Sequence, residues 1–479
     1  MSVTKFLMNR HNINCDSKIK QVDVSNSDST LEITYKKFYE NIITNVSIFQ
    51  KYFPNRKIPI LFIVDKSILS LEYILTANYL GYVIMISYSQ ITDKNLLSLI
   101  TYYGILNIIC NFKDKYQIFR EKAKTIAFED NYFFINLKEN NCKKKYIDKK
   151  CRFIFFTSGT SSISKAVMLS DENVISNIIG IADYLNINSY YSPLIYKNIC
   201  HASTLIGEFF VSLYTQSSII LTSILPHPNF IAQIIKDFEI NVLFAIPSFV
   251  CDLFSENKQS LSSLKIVNFY GDYVRDQIFE IIKNNQNTEF IYSYGLTEAS
   301  PRVTYIKSED IINRKGSVGC PIKKTKIYID KVIENSIGEI LVKGPGVMLG
   351  YYSGQDKTEK IIKRKKLYTG DLGYLDKDGF LYVVGRKDSM FIKNGNNIYP
   401  EEIEKTILCI NPEIRDVEIE YKNDEIICKI KVNSKEKVNV KDLYCSISNE
   451  IEQYKVPDKI LIVDKINLNQ NGKKNRKKR

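Results

Sequence analysis

A chain of 479 residues, 44% of them apolar and 12% aromatic, exceeds what one hydrophobic core covers, so two or more domains are expected and wholesale disorder is excluded. The net charge of +13 invites a nucleic-acid reading, but the 66 basic residues are dispersed among 53 acidic ones, as on a solvated surface, and no nucleic-acid partner is expected. Ten cysteines run from Cys15 to Cys445 without a CxxC spacing and only three histidines accompany them, which argues against a zinc site or a disulfide framework and suits a reducing cytoplasm.

In chain order, the first ten residues lack the apolar core of a signal peptide. Two uncharged stretches, 73–92 and 209–235, are long enough to raise the question of a bilayer span. Asn78, Gly81 and Gln90 divide the first into a buried helix, a turn at Gly81 and a buried strand. Gln216, Ser217, Ser218, Pro226, His227 and Pro228 divide the second into short elements, so no membrane span is expected. Residues 153–156 read as an apolar strand, followed after a loop by a helix starting near Ser170, with Asp171 and Glu172 where the helix dipole favours acids.

Between 217 and 294 the pattern alternates. Residues 217–224, 241–246, 264–270 and 289–294 read as short apolar strands, and 230–238, 249–254 and 274–283 repeat their apolar residues at helical spacing. Such alternation implies a parallel sheet covered by helices. From Gly338 onward the turn signals are those of hairpins: Gly344-Pro345-Gly346, then Asp376-Lys377-Asp378-Gly379 between 373–375 and 380–384. The last ninety or so residues predict a small α+β unit, with helices at 401–410 and 443–454 and strands at 417–420 and 426–432.

Four segments carry chemistry. Thr157-Ser158-Gly159-Thr160-Ser161-Ser162-Ile163-Ser164-Lys165 follows a buried strand; its backbone N–H groups can form an anion-binding nest, with hydroxyls and Lys165 as further donors. It lacks the Gly-Lys-Ser/Thr of the P-loop. Tyr294-Gly295-Leu296-Thr297-Glu298 ends a parallel strand, the edge at which open α/β sheets bind ligands; there an aromatic ring can stack on a base, a threonine can bond a phosphate and a carboxylate can hold Mg²⁺. Tyr368-Thr369-Gly370-Asp371 and Gly385-Arg386-Lys387-Asp388 offer an aspartate that can accept two ribose hydroxyls and an arginine beside it. Gly472-Lys473 lies near the chain end. Each segment alone has a plainer explanation: a polar loop, an exposed turn or a solvated tail.

Taken together in this order and at these intervals, the segments resemble the adenylate-forming superfamily of acyl-CoA synthetases, peptide-synthetase adenylation domains and luciferases, most closely the acyl-CoA ligase type. Thr157–Lys165 is similar to its phosphate loop, Tyr294–Glu298 to its aromatic–Gly–x–Thr–Glu motif, Tyr368–Asp371 to its Thr–Gly–Asp motif, Gly385–Asp388 to its hinge and Gly472–Lys473 to its terminal Gly–Lys. Ser162 and Ser164 stand where many relatives have Gly and Pro, Tyr196 where many have His, and 268–272 where a Gly-Gly-Glu-like stretch is common. The first 150 or so residues match most weakly.

The resemblance implies an α/β fold: a large N-terminal domain, 1–387, with doubly wound sheets and a small barrel, and a mobile α+β C-terminal domain, 388–479. It implies that Tyr294 and the Asp272 region flank adenine, that Gly295 belongs to the same nucleotide-binding set, that Asp371 and Arg386 hold the ribose, and that Thr297 meets the α-phosphate. Glu298 would ligate Mg²⁺, Lys473 would stabilise the charge of the adenylation step, Asp388 would be the pivot and Gly395 would border a thiol channel. The implied reaction consumes ATP, adenylates a carboxylic acid and passes the acyl group to CoA. The chain stops at Arg479, leaving no fused carrier domain, and loading of a separate carrier protein's phosphopantetheine is the alternative; a non-catalytic binding protein of the same fold is the alternative of another class. Phe209, Phe210, Phe269, Tyr270 and Tyr292 suggest an apolar or aromatic acid pocket, which an aryl or an aliphatic acid fits equally.

Overall fold

The computed structural model describes residues 1–10, 16–22, 30–88, 90–138, 146–157, 164–222, 227–334, 337–393, 396–411, 413–434 and 438–466. The expected alternation is present: strands Ile219–Thr222, Val242–Ala245, Ile266–Tyr270 and Glu289–Tyr294 are separated by helices Pro228–Asp237, Pro247–Glu256 and Asp276–Asn284. The middle two strands are buried at every position, as a sheet covered on both faces requires. Proline opens the first two helices, where its missing N–H costs nothing.

These strands join Pro193–Ile195 and Lys18–Val22 in one sheet whose parallel part runs Lys18–Val22, Ile219–Thr222, Pro193–Ile195, Val242–Ala245, Ile266–Tyr270, Glu289–Tyr294. Beyond Glu289–Tyr294 the sheet turns antiparallel through Thr304–Lys307, Ser317–Pro321, Leu381–Arg386, Lys366–Leu375, Ile337–Lys343 and Lys326–Glu334. Among the described residues this antiparallel part is an open path continuous with the parallel strands; no pairing closes it into the barrel expected from sequence. The Gly344–Gly346 turn also departs from expectation: the strand before it, Ile337–Lys343, pairs with Lys326–Glu334 and Lys366–Leu375, so the turn leads out of the sheet.

A second sheet places Cys151–Thr157, Ile84–Ile86, Ile60–Ile63 and Asn107–Cys110 side by side and parallel, flanked by antiparallel Lys165–Ser170 and Tyr132–Leu137. Lys165–Ser170 is a strand where only a loop was expected, because its Ala-Val-Met-Leu run is too short to show a period. Ser170 does cap the following helix, Asp171–Leu185: its hydroxyl accepts from the Asn173 amide while the Asn173 side chain accepts from the Ser170 amide. The apolar stretch near Tyr73 resolves into a helix, Ile68–Leu80, stopped by Gly81 at φ 84°, and the strand Ile84–Ile86. No described helix is long and apolar enough to cross a membrane.

The large N-terminal domain is followed by a smaller α+β one with its own core. Helices Pro400–Ile410 and Val440–Glu450 cover the sheet of Ile414–Lys422, Glu425–Val432 and Lys459–Ile462, burying Ile403, Ile407, Val417, Ile430 and Ile447. On one face the small domain meets the large through charge: Arg415 Nη1 lies 2.5 Å from Asp252 Oδ1, and Arg275 donates to the Arg415 carbonyl at 2.9 Å.

Helix Ile68–Leu80 is apolar on nearly all sides yet buries Glu72, whose Oε1 accepts from Asn41 Nδ2 at 2.8 Å. Burial pushes this carboxyl up to about 7, an effect that the Asn41 hydrogen bond only partly offsets. Because the folded-state value lies above the unfolded one, the folded chain binds the extra proton between about pH 4.5 and 7, and stability falls as pH rises through that window. Glu72→Gln keeps the acceptor and removes the charge. It should raise the melting temperature by about 2–4 °C at pH 8 and leave it unchanged near pH 4.5, measured by thermal unfolding at both values.

Candidate functional site

The carboxyl end of Glu289–Tyr294 is where the parallel sheet meets the antiparallel hairpins. Tyr294, its last residue, donates its phenol to Asp371 Oδ2 at 2.5 Å. Asp371 belongs to Lys366–Leu375 and faces Arg386 directly across the hairpin; Arg386 Nη1 lies 2.7 Å from Asp371 Oδ1 and also donates to the Thr369 carbonyl at 3.2 Å. One carboxylate therefore receives an aromatic hydroxyl on one oxygen and a guanidinium on the other. Asp371 is 9% exposed, and burial together with its charge holds the Tyr294 phenol well above the usual tyrosine range. Gly370, at φ 75°, lets the backbone pass under Arg386: a Cβ there would stand 3.0 Å from Nη2. Arg386 Nε also donates to Asp388 Oδ1 at 3.3 Å, so Asp388 joins the same group.

Gly295 is required by contact. A Cβ at this position would lie 1.9 Å from the Pro301 carbonyl oxygen, so the segment that returns from Ala299 closes directly over the turn. Thr297 and Glu298 lie in the short 3₁₀ turn Thr297–Ala299 and are half-buried. Glu298 Oε1 accepts from the Tyr351 phenol at 2.8 Å, and the Lys165 ammonium stands 5.2 Å from the Tyr351 ring centroid. Lys165 pairs with Thr157 where strands Cys151–Thr157 and Lys165–Ser170 run antiparallel. A cleft of about 190 Å³ opens beside them, lined by Tyr103, Lys165, Tyr351 and Lys357 among others.

Of the residues expected from sequence, Tyr294, Gly295, Thr297, Glu298, Asp371, Arg386 and Asp388 thus lie around one strand end, with Thr157 and Lys165 reached through Tyr351. Asp272 stands at the end of the neighbouring strand, after Gly271, and its carbonyl accepts from the Tyr292 phenol at 2.9 Å. Ser158, Gly159, Thr160, Ser161, Ser162, Gly395 and Lys473 lie outside the described residues. Tyr351 was missed from sequence. Its only signal is a Gly-Tyr pair, and its place follows from pairing with Val167 across the sheet.

The aromatic pocket needs correction. Phe269 stacks on Tyr292, 5.4 Å between centroids, on one face of the sheet, whereas the adjacent Tyr270 points to the other. Phe209 and Phe210 are fully buried beside Phe38 and Phe153. The five rings do not line one pocket. Around Tyr270 the surroundings are charged: its phenol donates to Glu208, Lys197 Nζ lies 2.8 Å from Glu208 Oε1, and the Arg302 guanidinium lies 3.5 Å from the Tyr270 ring centroid. Sequence reading named none of Lys197, Glu208 and Arg302, since isolated charges in apolar runs carry no spacing signal.

Residues 55–352 match the family model described as AMP-binding enzyme. Among curated proteins the chain is 28% identical over 284 residues to a long-chain-fatty-acid–CoA ligase of Salmonella typhimurium, covering 56% of this chain and 49% of that one. It is 28% identical over 331 residues to a 2-succinylbenzoate–CoA ligase of Bacillus velezensis, covering 67% and 66%. The chain therefore spans from about half to just under two thirds of the length of these relatives. Its fold is that of o-succinylbenzoate CoA synthetase (MenE) from Bacillus subtilis in complex with the acyl-adenylate intermediate OSB-AMP, at TM-score 0.83, 20% identity and coverage of 99% and 97%. ATP-bound MatB from Rhodopseudomonas palustris superposes as well, at TM-score 0.83 and 19% identity over 99% and 97% of the two chains. With the family model matched over residues 55–352, more than half of the chain and including the strand end at Tyr294, the chain belongs to the AMP-binding enzymes.

Proposed function

We propose that this protein is an AMP-forming acid–thiol ligase that converts a carboxylic acid and ATP into an acyl-adenylate and then into a CoA thioester. The observation that carries this reading is the convergence of Tyr294 and Arg386 on Asp371, one turn away from Glu298, Tyr351 and Lys165. A ribose hydroxyl pair meets an oriented carboxylate there, and triphosphate oxygens meet Lys165, the Thr297 hydroxyl and the loop Ser158–Ser162. Tyr294, Gly295 and Asp272 flank the base.

In the first half-reaction a carboxylate oxygen attacks the α-phosphorus, the bond to the bridging oxygen breaks and pyrophosphate leaves. Lys473 neutralises the charge that develops, and the rest is positioning, so no protein nucleophile is required. Glu298, a single carboxylate linked through Tyr351 to Lys165, suits Mg²⁺, which binds through one or two carboxylates together with substrate phosphates. When bound, the metal offsets phosphate charge. In the second half-reaction the thiol sulfur attacks the acyl carbon and AMP leaves with the electron pair. The domain boundary falls at 387/388; Asp388, already tied to Arg386, is the pivot, and Gly395 borders the thiol's path. CoA is favoured by the likeness of residues 395–404 to CoA ligases and by the names of the relatives; a free carrier protein's phosphopantetheine presents the same thiol. The eight described cysteines are all free, which favours a reducing cytoplasm.

Acid-dependent ATP–pyrophosphate exchange tests this reading. Exchange that needs both Mg²⁺ and an acid is expected; AMP binding without exchange across a broad acid panel would make the chain a binding protein instead. Asp371→Asn removes the charge that two donors address, and AMP affinity should fall about tenfold to a hundredfold, read by calorimetric titration. Glu298→Gln should shift the Mg²⁺ titration of exchange to higher concentrations, because an amide is a poorer ligand for a hard cation; an unchanged titration in folded protein removes Glu298 from the metal site. Lys473→Ala should slow adenylation about a hundredfold while thioester formation from supplied acyl-adenylate proceeds near the wild-type rate.

A further inference from the structure

In each sheet the parallel strand order reverses once. Pro193–Ile195 lies between Ile219–Thr222 and Val242–Ala245, and Ile60–Ile63 lies between Ile84–Ile86 and Asn107–Cys110. Ligands of open α/β sheets sit beyond the carboxyl ends of strands at such reversals. Here the residues that follow the two strands touch: Lys66 Nζ donates to the Lys197 carbonyl at 3.2 Å. The two reversal points form one place.

That place is charged and buried. Lys197 donates to the Tyr270 phenol and pairs with Glu208; Glu208 is fully buried and Arg302 is 3% exposed. Arg302 is fixed at its backbone by Asn177, which accepts from its amide at 3.1 Å and donates to its carbonyl at 2.9 Å. Its guanidinium passes close to Gly207, where a Cβ would stand 3.5 Å from Nη2. Gly207 and Glu208 belong to a π-helical segment, Leu205–Phe210, a local widening that recurs at functional sites.

The internal bonds do not satisfy the cluster. Arg302 Nε and Nη2 are buried without a partner, as are Thr204 Oγ1 and Glu208 Oε2. Nε and Nη2 form the side edge of the guanidinium, two parallel donors whose spacing matches the two oxygens of a carboxylate. Lys197 pairs with Glu208, and Lys66 and Arg302 feel the same single carboxylate through charge, so the cluster carries surplus positive charge. Burial lowers Lys66 to about 7 and Lys197 to about 8, Glu208 opposing in both cases and the neighbouring cations adding to the shift. An anionic guest would relieve both the orphaned donors and the surplus charge.

We propose that this cluster is the far end of the acid pocket and that the acid carries a second, ionised carboxylate, which binds the side edge of Arg302. The proposal rests on the adenylating reading for its first carboxylate: one end of the diacid reacts and the other is held. It also replaces the aromatic pocket expected from sequence with a polar one.

The test compares glutarate, adipate and terephthalate with their monomethyl esters, which keep the skeleton and lose one charge. Each is titrated calorimetrically into the full chain and used in pyrophosphate exchange. At least one free diacid should bind, and support exchange, about thirtyfold better than its ester, the worth of a charge-assisted pair. Arg302→Gln, checked for fold by circular dichroism and for intact AMP affinity, should flatten that ratio to within about threefold, by raising KM with little change in kcat. Lys197→Met should reduce it partway, and it decides the matter together with the wild-type comparison if Arg302→Gln does not fold. Equal binding of diacid and ester, or no binding of any diacid, overturns the proposal; so does a folded Arg302→Gln that keeps the preference. Diacid binding that depends on Arg302 without exchange would sink the adenylating reading and leave the anion site standing, whereas exchange indifferent to the ester would do the reverse.

Discussion

Asp371 is the charge around which the site is arranged. It lies on the first strand of a hairpin, accepts the phenol of the last residue of a parallel strand, and faces Arg386 on the hairpin's second strand. Without that carboxylate the half-buried Tyr294 phenol and the exposed Arg386 guanidinium would each lose a partner, and a phenol shielded from water and left bare costs more than its hydrogen bond returns. The same guanidinium reaches Asp388 two residues later. Asp371 and Asp388 thus share one arginine, so a change at either is felt electrostatically at the other.

The parallel sheets impose the second constraint. Strands buried on both faces leave their carboxyl ends as the place where polar side chains can gather, and each sheet spends that edge differently. Cys151–Thr157 ends at the start of the segment that resembles a phosphate loop, Glu289–Tyr294 leads into the Gly-Leu-Thr-Glu turn, and Ile60–Ile63 and Pro193–Ile195 into the two lysines of the buried cluster. The proposed nucleotide site and the proposed acid-binding cluster are neighbours because they lie on adjacent edges of the same architecture.

Much of this was legible from residues. The strand Glu289–Tyr294 has the bounds expected, since turn signals flank a short apolar run, and Ser170 caps its helix as its position before two acids implies. The grouping of Tyr294, Asp371 and Arg386 was legible because the signals are local: a few consecutive positions at a strand end or a hairpin turn. What was missed depends on long-range pairing. Tyr351 meets Glu298 because Gly350–Tyr351 adds itself to the edge of a sheet formed nearly two hundred residues earlier. Lys66, Lys197, Glu208 and Arg302 come from four separate segments, and no pattern in one dimension links them. The aromatic pocket failed for a related reason: Phe269 and Tyr270 are adjacent in sequence, and adjacent strand residues face opposite ways.

The contact of Arg415 with Asp252 has a consequence for how the protein responds to its medium. Both side chains are well exposed, at 44% and 37%, and pairs of this kind contribute about 0–1 kcal/mol. The small domain has its own core from Phe391 onward, so this ion pair is a polar contact between two separately packed units. Salt shortens the reach of such attraction to about 8 Å at physiological ionic strength. On this face the ionic strength of the surroundings therefore sets how firmly the small domain is held, and the proposed reaction, in which that domain leaves and returns, acquires a dependence on salt that nucleotide affinity alone would not predict.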